Sequence, residues 1–251
     1  MEQTKEEEFW NTLTHFIGLI LSIIGLPVLL YYNQNLTNFS FQSILFFEFG
    51  MICLYSASTL YHYSTNLNLK RKFRVFDHVS IFYLIAGSYA PVCLITLYSD
   101  SGTKIFIIVL LIALIGTIFK LFFTGKYEKF SLFLYLAMGW LVVIDFKNII
   151  DSLETNALVL LVISGLFYSF GIIFYRLEKI KYSHAIWHMF VLGGSICHYF
   201  LVLLYIIQWL LHQELLKSWW SWCFFIHQFF TFLSFIQHFD EILEHNLINL
   251  T

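Results

Sequence analysis

His184 and His188 stand four residues apart, so on a helix both imidazoles leave one face about a turn from each other. Two histidines in that relation can bind one metal ion, and a third from another helix completes a three-histidine site. Ser58 and His62 repeat the four-residue spacing, and the pair Asp77-His78 follows them. Three nitrogen ligands with one position left to water is the arrangement of catalytic rather than structural zinc. Zinc there lowers the pKa of the water to roughly 7. The competing reading of an HxxxH pair on an apolar helix is packing: interhelical hydrogen bonds, or a place at the membrane interface.

The elements that must carry these residues are membrane spans. Of 251 residues, 59% are hydrophobic and 12% charged, which leaves too little polar surface for a soluble domain of this length. A formal net charge of −2 gives no reason to expect nucleic acid. Cys53, Cys93, Cys197 and Cys223 stand singly on apolar stretches, so neither a disulfide framework nor a cysteine zinc site is expected. The acid-rich start MEQTKEEEF and the lack of an A-x-A-like site argue against a cleavable signal.

A span needs roughly 20 apolar residues. Such runs occur at Leu13–Tyr32, Phe41–Tyr63, Val79–Tyr98, Ile105–Phe123, Phe130–Ile150, Ala157–Tyr175 and Ile186–Leu211. The fifth is the weakest, because Asp145 and Lys147 interrupt it near its end. The expected fold is therefore an all-α, seven-transmembrane helix bundle over residues 1–212, followed by an aromatic-rich extension over 213–251. In that extension the apolar run Trp219–Phe239 is read as an interfacial or packed helix on the outer side in preference to an eighth span. No Lys or Arg follows Lys217, and three tryptophans cluster at its start.

Basic residues in short loops orient the bundle. One side holds Lys5, Lys70, Arg71, Lys72, Arg74, Lys120, Lys126, Lys129, Arg176, Lys179 and Lys181; the other holds Lys104, Lys147 and Lys217. The eleven-to-three split puts the N-terminus in the cytoplasm. The end of span 2 with His62, the start of span 3 with Asp77 and the start of span 7 with His184 and His188 then share one depth. Ionisable groups at bilayer depth usually face the bundle interior. This co-location strengthens the metal reading without excluding the packing one.

Glu8-x-x-Asn11-x-x-x-His15, Ser58-x-x-x-His62, Asp77-His78-x-x-Ile81-x-x-Leu84-Ile85-Ala86-Gly87-x-Tyr89-x-Pro91 and His184-x-x-Trp187-His188-x-Phe190-Val191 together resemble the hemolysin III family. That family is related to the progestin and adipoQ receptors, adiponectin receptors included. The resemblance covers about residues 6–210 and says nothing about the tail. It implies zinc ligands at His62, His184 and His188, an Asp77 that hydrogen-bonds the zinc-bound water, and a supporting Ser58. Relatives of this group include membrane enzymes that cleave amide bonds in lipids such as ceramide.

The expectation is thus a zinc-dependent hydrolase acting on an amide or ester bond of a membrane lipid, in a multi-pass protein of the plasma membrane. The alternative is a sensor or receptor-like protein in which zinc only clamps spans 2, 3 and 7, with Asp77 as a candidate fourth ligand. A pore former is a distant third. His78 reads as an interhelical residue, being rotated about 100° from Asp77. His198 lies about 15 Å along the helix beyond His188, too far to share a metal. Glu8, Asn11 and His15 share one face and could serve the site or an unrelated polar network. Lys120 is expected to snorkel to the cytoplasm. Glu48 and Asp145 receive no role, and His212, His227, His238 and His245 are assigned to the tail.

Overall fold

The computed structural model describes residues 3–177 and 179–208. The apolar run Trp219–Phe239, His212, His227, His238 and His245, and the expected 212/213 boundary lie outside the described residues. Within them the chain is helical throughout, with no strand, and seven stretches are long and apolar enough to cross a membrane. These are α1 (Lys5–Tyr32), α2 (Ser40–Tyr63), α3 (Leu67–Pro91), α4 (Gly102–Phe123), the fifth crossing, α7 (Thr155–Arg176) and α8 (Ser183–Leu201). The fifth crossing is broken into α5 (Glu128–Gly139), a 3₁₀ turn at Leu141–Asp145 and α6 (Phe146–Ser152). The break falls where Asp145 interrupts the apolar run; its carboxylate accepts from Ser101 and, at 2.9 Å, from Asn148. Helices α3 and α8 run on through π-helical turns at Val92–Thr96 and Val202–Ile206.

Two helices begin well before their apolar runs, and each early start has a cap. α1 starts at Lys5 rather than Leu13, because Thr4 and Glu7 form a reciprocal capping box and Glu6, Glu7 and Glu8 suit the positive helix end. α3 starts at Leu67 rather than Val79, because the Asn66 carboxamide oxygen accepts from the backbone of Asn68 and Leu69 at 3.0 and 3.2 Å. The basic stretch expected as a loop is therefore the first turns of a helix.

α2 and α3 touch backbone to backbone. A methyl group on Gly50 would strike the Tyr83 carbonyl, and one on Gly87 would sit 3.1 and 3.2 Å from the carbonyls of Phe46 and Phe47. Small residues permit this approach, which membrane helices use in place of a hydrophobic driving force. Tyr55 on α2 donates to Ser195 on α8 at 2.7 Å, and Tyr199 on α8 donates to the Gly25 carbonyl on α1 at 3.1 Å. These bonds fix the rotation of α1, α2 and α8 about one another. Lys120 does not snorkel: its side chain is fully buried and donates to Glu128 at 2.8 Å. A local carboxylate partner removes the need to reach water.

Candidate metal centre

The end of α2 and the first turns of α8 bring His62, His184 and His188 together. Ring centroids lie 5.0 Å apart for His62–His184 and for His62–His188, and 4.6 Å for His184–His188. One nitrogen from each falls within 4.8 Å of the other two, a set that could hold a metal ion. A tetrahedral ion with bonds of about 2.0–2.1 Å needs its ligand nitrogens roughly 3.4 Å apart. A modest swing of the rings closes that difference.

Hydrogen bonding on the far side of two rings decides which nitrogen is free. His62 Nδ1 lies 2.6 Å from a Glu8 carboxylate oxygen, and His188 Nδ1 lies 3.2 Å from the Asn11 carbonyl. Both partners only accept, so Nδ1 carries the hydrogen and Nε2 presents a lone pair. Thr14 Oγ1 is also 3.2 Å from His188 Nδ1. The Nε2 atoms of His62, His184 and His188 are all buried without a hydrogen-bond partner among the described residues. An unpaired buried polar group costs about 1–3 kcal/mol. Three in one small space are relieved together if a single cation accepts all three lone pairs, so the residues present fit a metal ion.

The remaining predicted residues lie around this centre in different ways. Ser58 is fully buried one turn before His62, and its hydroxyl has no hydrogen-bond partner among the described residues. Asp77 is buried on α3 but falls outside the ligating set; its carboxylate is 3.9 Å from His78 Nδ1. It lines a cavity of about 730 Å³ together with Asn11, His15 and His184. The same cavity continues between apolar side chains that include Leu136, Val143 and Leu161. His62 and His188 do not line it, so the triad meets the cavity through His184. His78 bonds the Arg74 carbonyl within α3 at 2.7 Å, and His198 bonds the Ser88 carbonyl on α3 at 2.9 Å; neither belongs to the ligating set, and both line the cavity.

Of the residues left undecided by sequence, Glu8, Asn11 and His15 all reach the centre. His15 is buried and stacks on the His188 ring. Their i, i+3, i+7 spacing was the available signal, since it sets one face of α1 against the site. Nothing in the spacing pointed to Thr14.

The family described as "Haemolysin-III related" matches residues 3–199, the span that carries every residue of this centre. The chain belongs to the haemolysin-III-related family. It is similar to "Hemolysin-3" of Bacillus cereus, 38% identical over 208 residues that cover 82% of this chain and 95% of that protein. It is similar also to "Hemolysin-3 homolog" of Bacillus subtilis (strain 168), 41% identical over 206 residues, 82% of this chain and 97% of that protein. A human relative, "Monocyte to macrophage differentiation factor", is 30% identical over 209 residues, covering 79% of this chain and 84% of that protein. The human match agrees with the wider receptor kinship that the motifs implied. A haemolysin-III-related chain with seven apolar helices is a multi-pass integral membrane protein, and its bacterial relatives point to the plasma membrane.

Proposed function

We propose that this haemolysin-III-related protein is a zinc-dependent hydrolase of an amide or ester bond in a membrane lipid. One observation carries the reading: three partnerless imidazole nitrogens converge beside a cavity whose wall contains a carboxylate outside the ligating set. A structural zinc site is usually closed by a fourth protein ligand, and among the described residues none joins the three histidines. Zinc bound there would polarise a scissile carbonyl and acidify the attacking water. The chain's own groups supply the rest. Glu8 and Asn11 hold the His62 and His188 rings in the ligating tautomer. Asp77 takes the proton of the attacking water and returns it to the departing amine or alcohol. The apolar stretch of the cavity takes the acyl chain and excludes bulk water.

A second reading has its own observation in favour. His62 and His188 do not line the cavity, and a metal there would clamp span 2 to span 7, with span 3 joining through Asp77, in a non-enzymatic sensor. Zinc content and turnover of a panel of acylated lipids, measured on the same purified protein and its His188→Ala variant, separate the two. Hydrolysis by the parent that disappears with the zinc supports the enzyme. A zinc-loaded parent that turns over no lipid supports the clamp.

A further inference from the structure

Four basic residues open α3, and by the positive-inside rule alone they would be equivalent. The structure separates them. Arg71 and Lys72 are exposed and make no ion pair among the described residues, Arg74 lines the cavity, and Lys70 points back toward Glu8. Its ammonium sits 2.5 Å from Glu8 Oε1 and 5.3 Å from the centroid of the Tyr61 ring. The other Glu8 oxygen, Oε2, is the one 2.6 Å from His62 Nδ1. One carboxylate therefore joins the start of α3, the start of α1 and a candidate ligand at the end of α2. This geometry needs the helical start at Leu67, because the Asn66 cap places Lys70 in the first turn. About three quarters of both the Lys70 and Glu8 side chains is covered, so the pair is less screened than a surface one.

We propose that Lys70 is a positioning residue of the metal centre: by holding Glu8, it fixes the His62 ring with Nε2 aimed at His184 and His188. The inference rests on the reading that the three histidines take a metal ion. Its sign is diagnostic. A bystander cation repels a divalent ion, so removing it would tighten metal binding. A positioning cation has the opposite effect, because His62 loses its orientation when Glu8 is released.

The test is competitive Zn²⁺ titration of the full-length chain in detergent, with the visible spectrum of the Co²⁺-loaded protein as a report on ligand geometry. Lys70→Met should weaken Zn²⁺ binding about tenfold, the low end of what loss of a ligand's supporting partner does. It should also change the Co²⁺ spectrum. Lys70→Arg should restore both, and Lys72→Met on the exposed side should alter neither. If Lys70→Met does not fold, Lys70→Gln serves the same comparison. Unchanged or tighter binding with an unchanged spectrum overturns the role of Lys70 and leaves the metal centre standing. A parent chain that takes up neither ion overturns the metal reading and this inference with it.

Discussion

The imidazole of His15 lies flat against that of His188, with ring centroids 3.5 Å apart and planes inclined by 16°. His15 is not in the ligating set, so its contribution is shape: it backs the His188 ring against α1. His15→Phe keeps an aromatic face there and should leave the metal stoichiometry unchanged. His15→Ala removes the backing and should weaken metal binding and lower the melting temperature. Metal analysis and thermal unfolding of both variants check this. Loss of the ion in His15→Phe would show that a His15 nitrogen ligates.

The ligands themselves are separable from the nearby histidines. His188→Ala should take the zinc content from about one equivalent per chain to near zero, since three nitrogens are the minimum for a catalytic-type site. His198→Ala should keep it, because that ring is engaged with Ser88 and Ser164. Ligation also requires neutral imidazole, so occupancy should decline as acid protonates the ligands. Elemental analysis across a pH series reads both effects.

Asp77 decides between hydrolase and clamp. If it handles the proton of the attacking water, Asp77→Asn should retain fold and zinc while turnover falls by roughly 10²–10⁴-fold. If it closes a structural site after ring and helix adjustment, the same substitution should lower zinc content and melting temperature together. Both quantities and lipid turnover are measured on one preparation.

Orientation is open to a direct test. Asn68→Cys, in the first turn of α3 beside Lys70, should be protected from an impermeant thiol reagent added outside intact cells. It should become reactive after permeabilisation, with Cys53, Cys93, Cys197 and Cys223 replaced. Labelling from outside would reverse the topology that the eleven-to-three distribution of basic residues implies.

Glu48 gives a stability prediction. It is buried on α2, and neither carboxylate oxygen has a hydrogen-bond partner among the described residues. An unpaired polar group there costs about 1–3 kcal/mol. Glu48→Met should therefore raise the melting temperature by a few degrees, at about 2–4 °C per kcal/mol for a chain of this size. A fall instead would reveal that the carboxyl is engaged in the native membrane.

The sequence by itself determined the seven spans found among the described residues and the candidate ligands His62, His184 and His188. Apolar runs of membrane length and the four-residue spacing of His184 and His188 are local patterns, and a helix converts such patterns directly into faces and depths. It also identified the family motifs, because those are short and ordered along the chain. The early starts of α1 and α3 were harder, since a cap such as Thr4 or Asn66 extends a helix into polar residues that hydropathy discounts. Contacts between helices were decided only by the tertiary structure. Glu8 meets His62 across 54 residues of chain, and Asn11 meets His188 across 177. Which nitrogen of the His62 and His188 rings is free, that Lys70 reaches Glu8, and that Asp77 stands in the cavity wall all depend on helix rotation and separation. Backbone contacts at Gly50 and Gly87 and the bond from Tyr55 to Ser195 set those rotations, and no periodicity within a single helix encodes them.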